Sequence, residues 1–230
     1  MLYENYEQVV ANVKKACERS GRNFQDITII AVSKTKPLSD VEELLSHGVM
    51  EFGENKVQEM VDKYEHVSKP VHWHLIGHLQ TNKVKYIVDK ACLIHSVDSV
   101  HMAKEIEKEA AKKGVVAKVL LEVNIAQEET KFGIREDEVY ALIDAIKDMP
   151  HVHVMGLITI APFVENPEEN RVYFRKMHQL SLDIKSKCID NIDMSVLSMG
   201  MTNDYEIAVE EGATMIRVGT AIFGARNYNI

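Results

Sequence analysis

Short β-branched runs alternate with longer amphipathic runs from end to end of this chain, and nothing else in the sequence limits its fold as strongly. Residues 27–32 form the first apolar run, and residues 38–47 follow with helical periodicity up to Gly48, a helix stop. The cycle repeats as 49–51 with 57–66, 72–76 with 82–89, 92–97 with 100–113, 117–124 with 137–147, 152–159 with 168–187, and 194–198 with 204–210, before a last strand at 215–219. Gly114 and Gly212 close two more of these helices, and residues 1–19 add an amphipathic helix in front.

Strand–helix alternation carried through eight strands has two standard solutions, a closed (β/α)8 barrel and an open doubly wound sheet. The chain has 230 residues, close to the roughly 250 typical of the barrel. No G-x-G-x-x-G follows the first strand, which weakens the dinucleotide-binding sheet. The five prolines are scattered at Pro37, Pro70, Pro150, Pro162 and Pro167, and no low-complexity segment marks a linker. The expected architecture is therefore α/β, a single (β/α)8 TIM barrel with an extra N-terminal helix, with residues 1–230 forming one domain.

Composition excludes several classes. Lys+Arg is 27 against Asp+Glu 35, a formal net charge of −8, so general binding to nucleic acid is disfavoured. No apolar run approaches the roughly 18 residues of a membrane span, and the start Met1-Leu2-Tyr3-Glu4-Asn5 lacks the pattern of a signal peptide. Cys17, Cys92 and Cys188 are odd in number and far apart, with no C-x-x-C, so they suggest neither a zinc ribbon nor a disulfide framework. Buried structural thiols in a reducing compartment, hence a cytoplasmic protein, are the expectation.

In a barrel the active groups lie at the C-terminal ends of strands. Lys34 ends the first strand, at the edge of an apolar run where a charged amine is poorly solvated, and Lys36 in extended chain would point the same way and disfavour its charge further. A neutral lysine attacks an aldehyde to give a Schiff base; a lysine snorkelling at the barrel mouth is the alternative. Ser198, Met199 and Gly200 end the seventh strand, and Gly219 and Thr220 the eighth. Barrels often bind phosphate between these two loops, where Gly200 and Gly219 would let it approach the backbone and Asn203 or Thr202 could cap the next helix. Two ordinary glycine turns are the alternative. Arg217 sits inside an apolar strand and needs partners, either a carboxylate such as Glu54 or Glu122, or the ring nitrogen of a cofactor. Being unable to give up its proton, it would leave such a ring a weak electron sink.

The histidines offer a competing chemistry. His72, His74 and His78 give H-x-H-x3-H, and His151 and His153 give a second H-x-H. On a strand His72 and His74 share a face and could hold one metal. A metal hydrolase also needs carboxylates at other strand ends, and the eighth strand carries Arg217 instead, so no metal site is expected.

At these same residues the sequence resembles a known family. Ala31-Val32-Ser33-Lys34-Thr35-Lys36-Pro37, Phe52-Gly53-Glu54-Asn55, His74-Leu75-Ile76-Gly77 with Leu79-Gln80-Thr81-Asn82-Lys83, and Gly156-Leu157-Ile158-Thr159 are similar to the pyridoxal-phosphate homeostasis proteins. So are Leu197-Ser198-Met199-Gly200-Met201 and residues 217–224, which carries the likeness over nearly the whole chain. These proteins are similar to the barrel domain of bacterial alanine racemases. The resemblance implies pyridoxal 5′-phosphate (PLP) held as a Schiff base on Lys34. Arg217 would face the pyridine nitrogen, Ser198, Gly219 and Thr220 would hold the phosphate, Asn55 would lie near the ring, and Lys36 would be a second lysine close by. His78 stands where some relatives carry Pro. The family is thought to buffer and deliver the cofactor, so apo-enzymes that use PLP are the expected partners. A racemase of this barrel type draws a second base from an added β-domain, and only ten residues follow Thr220. The expectation is a carrier without catalytic residues, a monomer or weak dimer; a weak PLP-dependent amino-acid racemase is the alternative.

Overall fold

Residues 1–225 are described by a computed structural model. Eight parallel strands close on themselves in sequence order, so β8 pairs with β1 as well as with β7. The strands are β1 (Thr28–Val32), β2 (Glu51–Glu54), β3 (His72–Leu75), β4 (Leu93–Val97), β5 (Ala117–Glu122), β6 (Val152–Ile158), β7 (Ile192–Ser198) and β8 (Met215–Val218). The helices are α1 (Leu2–Ser20), α2 (Leu38–Ser46), α3 (Val57–His66), α4 (Val84–Ile87), α5 (Val100–Lys113), α6 (Val139–Ile146), α7 (Arg171–Ser186), α8 (Tyr205–Glu210) and α9 (Thr220–Phe223). This is the expected barrel. No helix among the described residues is long and apolar enough to cross a membrane.

The elements follow the sequence signals with local shifts. α5 starts at Ser99, whose hydroxyl accepts from the Met102 N–H at 3.2 Å, and stops at Gly114 in the left-handed region. The second strand is not 49–51 but Glu51–Glu54, because Phe52, Gly53 and Glu54 pair with Trp73, His74 and Leu75. The sequence "Phe-Gly-Glu" reads locally as a turn. Sheet pairing overrides it, since a Cβ at Gly53 would lie 2.8 Å from Ile30 Cγ2 in the barrel interior. The helix expected at 82–89 is a 3-10 turn (Thr81–Lys83) running into the single turn of α4.

Two apolar layers stabilise the barrel. Outward-facing strand residues meet the helices, as Phe52 and Trp73 do beside Met60. Inside, Ile30, Val32, Leu93, Leu120, Ile158 and Met215 form a smaller cluster. α1 buries Val9, Val13, Ala16 and Cys17 on one stripe; of the three thiols expected to be buried, Cys17 is, Cys92 is half-buried and Cys188 is exposed after α7. It packs on α2, α8 and α9 and so covers the seam where the first and last strands meet. Asn5 Nδ2 donates to Ile222 O at 2.9 Å and Asn12 Nδ2 to the Tyr205 hydroxyl at 2.9 Å, tying the two ends of the barrel together.

Candidate cofactor site at the C-terminal mouth

The loop after β1 is clamped from below. Ser33 Oγ donates to Glu54 Oε1 at 2.6 Å, Lys63 Nζ donates to Ser33 O at 2.8 Å and to Glu54 Oε1 at 2.7 Å, and Glu59 accepts from both Lys63 Nζ and the Thr35 N–H. Ser33, Glu54 and Lys63 are all buried. Burial lifts the Glu54 carboxyl above the usual range, against the pull of Lys63. Thr35 lies in the left-handed region with φ 60°. Lys34 therefore leaves a turn fixed on three sides. That turn also changes one expectation: the chain is not extended from Lys34 to Lys36. Lys36 N–H bonds back to Ser33 O, and Lys36 Nζ donates to Phe223 O at 2.8 Å at the end of α9, outside the cavity.

A cavity of about 410 Å³ opens at this end of the barrel. Lys34, Asn55, Arg217, Gly219 and Thr220 all line it, brought together from β1, β2 and β8. Gly77 holds Asn55 in place: a Cβ on Gly77 would collide with the Asn55 backbone. The floor is Arg217, 4% exposed. Its Nη1 donates to Ser198 Oγ at 2.6 Å and its Nη2 to Thr159 O at 2.9 Å. Among the described residues it forms no ion pair with Glu54 or Glu122. Burial lowers its pKa to about 10 while the charges of Asp204 and Glu122 oppose this, so it stays cationic at neutral pH.

Ser198 does not line the cavity. It lies beneath, fully buried, and its hydroxyl meets His95 Nδ1 at 3.3 Å as well as Arg217. His95 Nε2 in turn meets His74 Nδ1 at 3.0 Å, and His74 Nε2 meets Glu51 Oε2 at 2.7 Å. Burial keeps His95 neutral. One placement of the shared hydrogens satisfies every partner: Ser198 donates to His95 Nδ1, His95 Nε2–H to His74 Nδ1, and His74 Nε2–H to the Glu51 carboxylate. This file of side chains runs from the cavity floor to the opposite end of the barrel. His95 drew no notice in the sequence, and only its place between two polar groups of other strands gives it a role.

The walls come from the loops after β6 and β7. Ile160, Phe163, Met201 and Thr202 line the cavity. Thr202 Oγ1 accepts from the Ala221 N–H at 3.4 Å, joining the β7 and β8 loops, and so does not cap α8. Asp204 stands at the start of α8 without capping it: its Oδ1 accepts from the preceding Met201 N–H at 2.7 Å and its Oδ2 from Asn170 Nδ2 at 2.8 Å. Gly200, at φ 93°, serves packing, since a Cβ there would lie 2.5 Å from Ala208 Cβ. Further out, Glu122 is buried beside Asp98, and burial first, then that neighbour's charge, raise its pKa to about 7.

The remaining histidines separate. His72 Nδ1 also meets Glu51, at 2.6 Å, but at the opposite end of the barrel from the cavity. His151 is held by Glu107 and His153 by Asn191, so the second H-x-H shares no ligand. His78, exposed, stacks on Phe132 with ring centroids 3.9 Å apart.

Fold and cavity together define a (β/α)8 barrel protein with a lysine closing its first strand and a buried arginine rising from its last. A family model, "Alanine racemase, N-terminal domain", matches residues 5–227, and the chain belongs to that family. Among full-length relatives, a "Pyridoxal phosphate homeostasis protein" of Aquifex aeolicus is 44% identical over 98% of both chains. The solved structure of PipY from Synechococcus elongatus with PLP bound aligns with a TM-score of 0.81 at 30% identity, over 93% of this chain and 100% of that one. Alanine racemase of Clostridium difficile, 14% identical, shares the fold with a TM-score of 0.77 over 99% of this chain and 60% of its own.

Proposed function

We propose that this chain binds pyridoxal 5′-phosphate at the C-terminal mouth and takes part in PLP homeostasis as a carrier without turnover. The observation that carries this reading is the convergence of Lys34, Arg217, Gly219 and Thr220 on one cavity, whose size falls in the roughly 300–1,000 Å³ range of small-molecule sites. The bound cofactor would supply an aldehyde, to be held as a Schiff base by the Lys34 amine. Arg217, anchored by Ser198 and Thr159, directs its remaining N–H groups upward to a ring nitrogen. A guanidinium does not give up a proton to that nitrogen, so the ring stays a poor electron sink. Gly219 and Thr220, joined to Thr202 across the loops, bind the phosphate, and Asn55 lies beside the ring. Ser198 acts from below, as a positioning residue for Arg217.

The names of the relatives support the homeostasis role, and the PipY structure supports PLP as the ligand. The rim suits exchange: Phe163, 86% exposed, borders a cavity that opens to solvent. In this reading the chain works in the cytoplasm as a monomer or weak dimer and passes the cofactor to apo-enzymes.

Borohydride reduction followed by peptide mapping tests the attachment. The added mass is expected on the peptide containing Lys34, and Lys34→Ala should abolish the imine absorption while keeping the fold. Mass on another peptide, or a variant that stays yellow, overturns the assignment. Racemisation of alanine or serine that persists on repurification and is lost in Lys34→Ala would overturn the carrier reading in favour of a racemase.

A further inference from the structure

The mouth opposite the cofactor cavity carries a donor set that the function does not use. Glu51 begins β2, His74 lies within β3 and Cys92 immediately precedes β4. One carboxylate oxygen, one imidazole nitrogen and the thiol sulfur lie within 4.8 Å of one another. Three neighbouring parallel strands bring them together, so the cluster is held by the barrel's own hydrogen bonds: Gly53 pairs with His74, and the Cys92 N–H donates to Trp73 O at 2.8 Å. His72, exposed, bonds the other oxygen of Glu51.

We propose that Glu51, His74 and Cys92 form a binding site for a divalent cation of the zinc class at the N-terminal mouth of the barrel, with water as the fourth ligand and His72 holding Glu51 by its other oxygen. A thiolate, an imidazole and a carboxylate are the ligand types of tetrahedral zinc. Bonds of about 2.0–2.3 Å place neighbouring ligand atoms roughly 3.3–3.8 Å apart in a tetrahedron. The widest separation here needs to close by about 1 Å, and the short His74–Glu51 contact opens as the cation takes the place of the shared proton.

A second layer of contacts suits the role. A histidine bound to metal through Nε2 carries its proton on Nδ1 and needs an acceptor there. His74 Nδ1 faces His95 Nε2 at 3.0 Å, and the buried His95 can accept there once its own proton sits on Nδ1, facing Ser198 Oγ. A thiol is mostly protonated at neutral pH and binds metal as the thiolate, so binding releases one proton: the S–H bond breaks, a sulfur–metal bond forms, His74 and His95 each exchange one tautomer for the other, and the Ser198 hydroxyl turns to accept from His95. The N-terminal face of such barrels serves stability, so the cation braces the fold and does no chemistry on the cofactor.

The test is titration of the full-length protein, carrying its cofactor, with cobalt(II) and then zinc chloride. One equivalent of cobalt should give tetrahedral d–d bands and a sulfur-to-metal charge-transfer band, which zinc removes. The heat of zinc binding should vary with buffer as release of one proton requires. Cys92→Ser and Glu51→Gln should each weaken binding at least about tenfold, while Cys188→Ser and Lys34→Ala leave it unchanged. Zinc should raise the Tm of the wild type and not of Cys92→Ser. Absence of one-equivalent binding, equal binding in Cys92→Ser and Glu51→Gln, or a signal that disappears in Cys188→Ser or Lys34→Ala overturns the proposal.

Discussion

Replacing Glu122 by glutamine should make the protein markedly more stable in mild alkali and change little in mild acid. Glu122 ends β5, is 7% exposed, and titrates at about 7 because burial and Asp98 penalise its anion more than Arg217 favours it. In the unfolded chain the carboxyl titrates near its ordinary value of 4.5. The folded state thus holds the proton more tightly than the unfolded state. Its contribution is fully present below about pH 4.5 and is lost as pH rises through about 7. The gap of about 2.5 units, at 1.36 kcal/mol per unit, sets a ceiling of about 3 kcal/mol, of which roughly 2.5 kcal/mol falls between pH 5 and pH 8. Glutamine has the same shape and no titration. Urea unfolding of both proteins at pH 5 and pH 8 isolates Glu122 and its coupling to Asp98 and Arg217, because groups that do not interact with it cancel in the difference. The Glu122→Gln advantage should grow by about 2–3 kcal/mol between the two pH values, or roughly 5–10 °C in Tm for a chain of this size. Parallel stability curves for the two proteins would refute the reasoning.

Lys63→Met should cost about 3–5 kcal/mol, since it leaves the Glu54 carboxylate buried without its cation; a double variant with Glu54→Gln should recover more than half in urea unfolding, and a loss under about 1 kcal/mol would show the pair to be dispensable. Gly77→Ala should displace the Asn55 backbone, cost about 1–3 kcal/mol, and speed cofactor release measured by dialysis. Ser198→Ala removes a buried partner of Arg217 and should cost about 1–3 kcal/mol without breaking a cofactor link at Lys34; complete loss of that link on borohydride mapping would instead place Ser198 in direct contact with the cofactor.

The strand–helix alternation was legible because most strand positions of this sheet are buried, Leu93–Val97 throughout, and the longer helices carry one apolar stripe. Boundaries slipped where pairing outweighs local preference, as at Gly53, whose missing side chain makes room for Ile30. Lys34, Arg217, Gly219 and Thr220 could be named from strand ends, since a barrel places every strand's C-terminal end at one mouth, whereas Asn55 stood out only through the family resemblance. His95, the Lys63 clamp and the cluster of Glu51, His74 and Cys92 could not. Each depends on which side chains from separate strands meet inside the closed sheet. A histidine in an apolar run reads the same whether it faces a serine, another histidine or nothing.

What the sequence by itself determined is therefore the order of elements and the residues delivered to the rim, because both follow from periodicity along a single segment. Only the tertiary structure decided the partners of the buried polar groups, and with them the protonation of Glu122, the anchoring of Arg217 and the fixed turn beneath Lys34. Those properties arise from desolvation and contact between strands, and a linear chain encodes neither until the barrel closes.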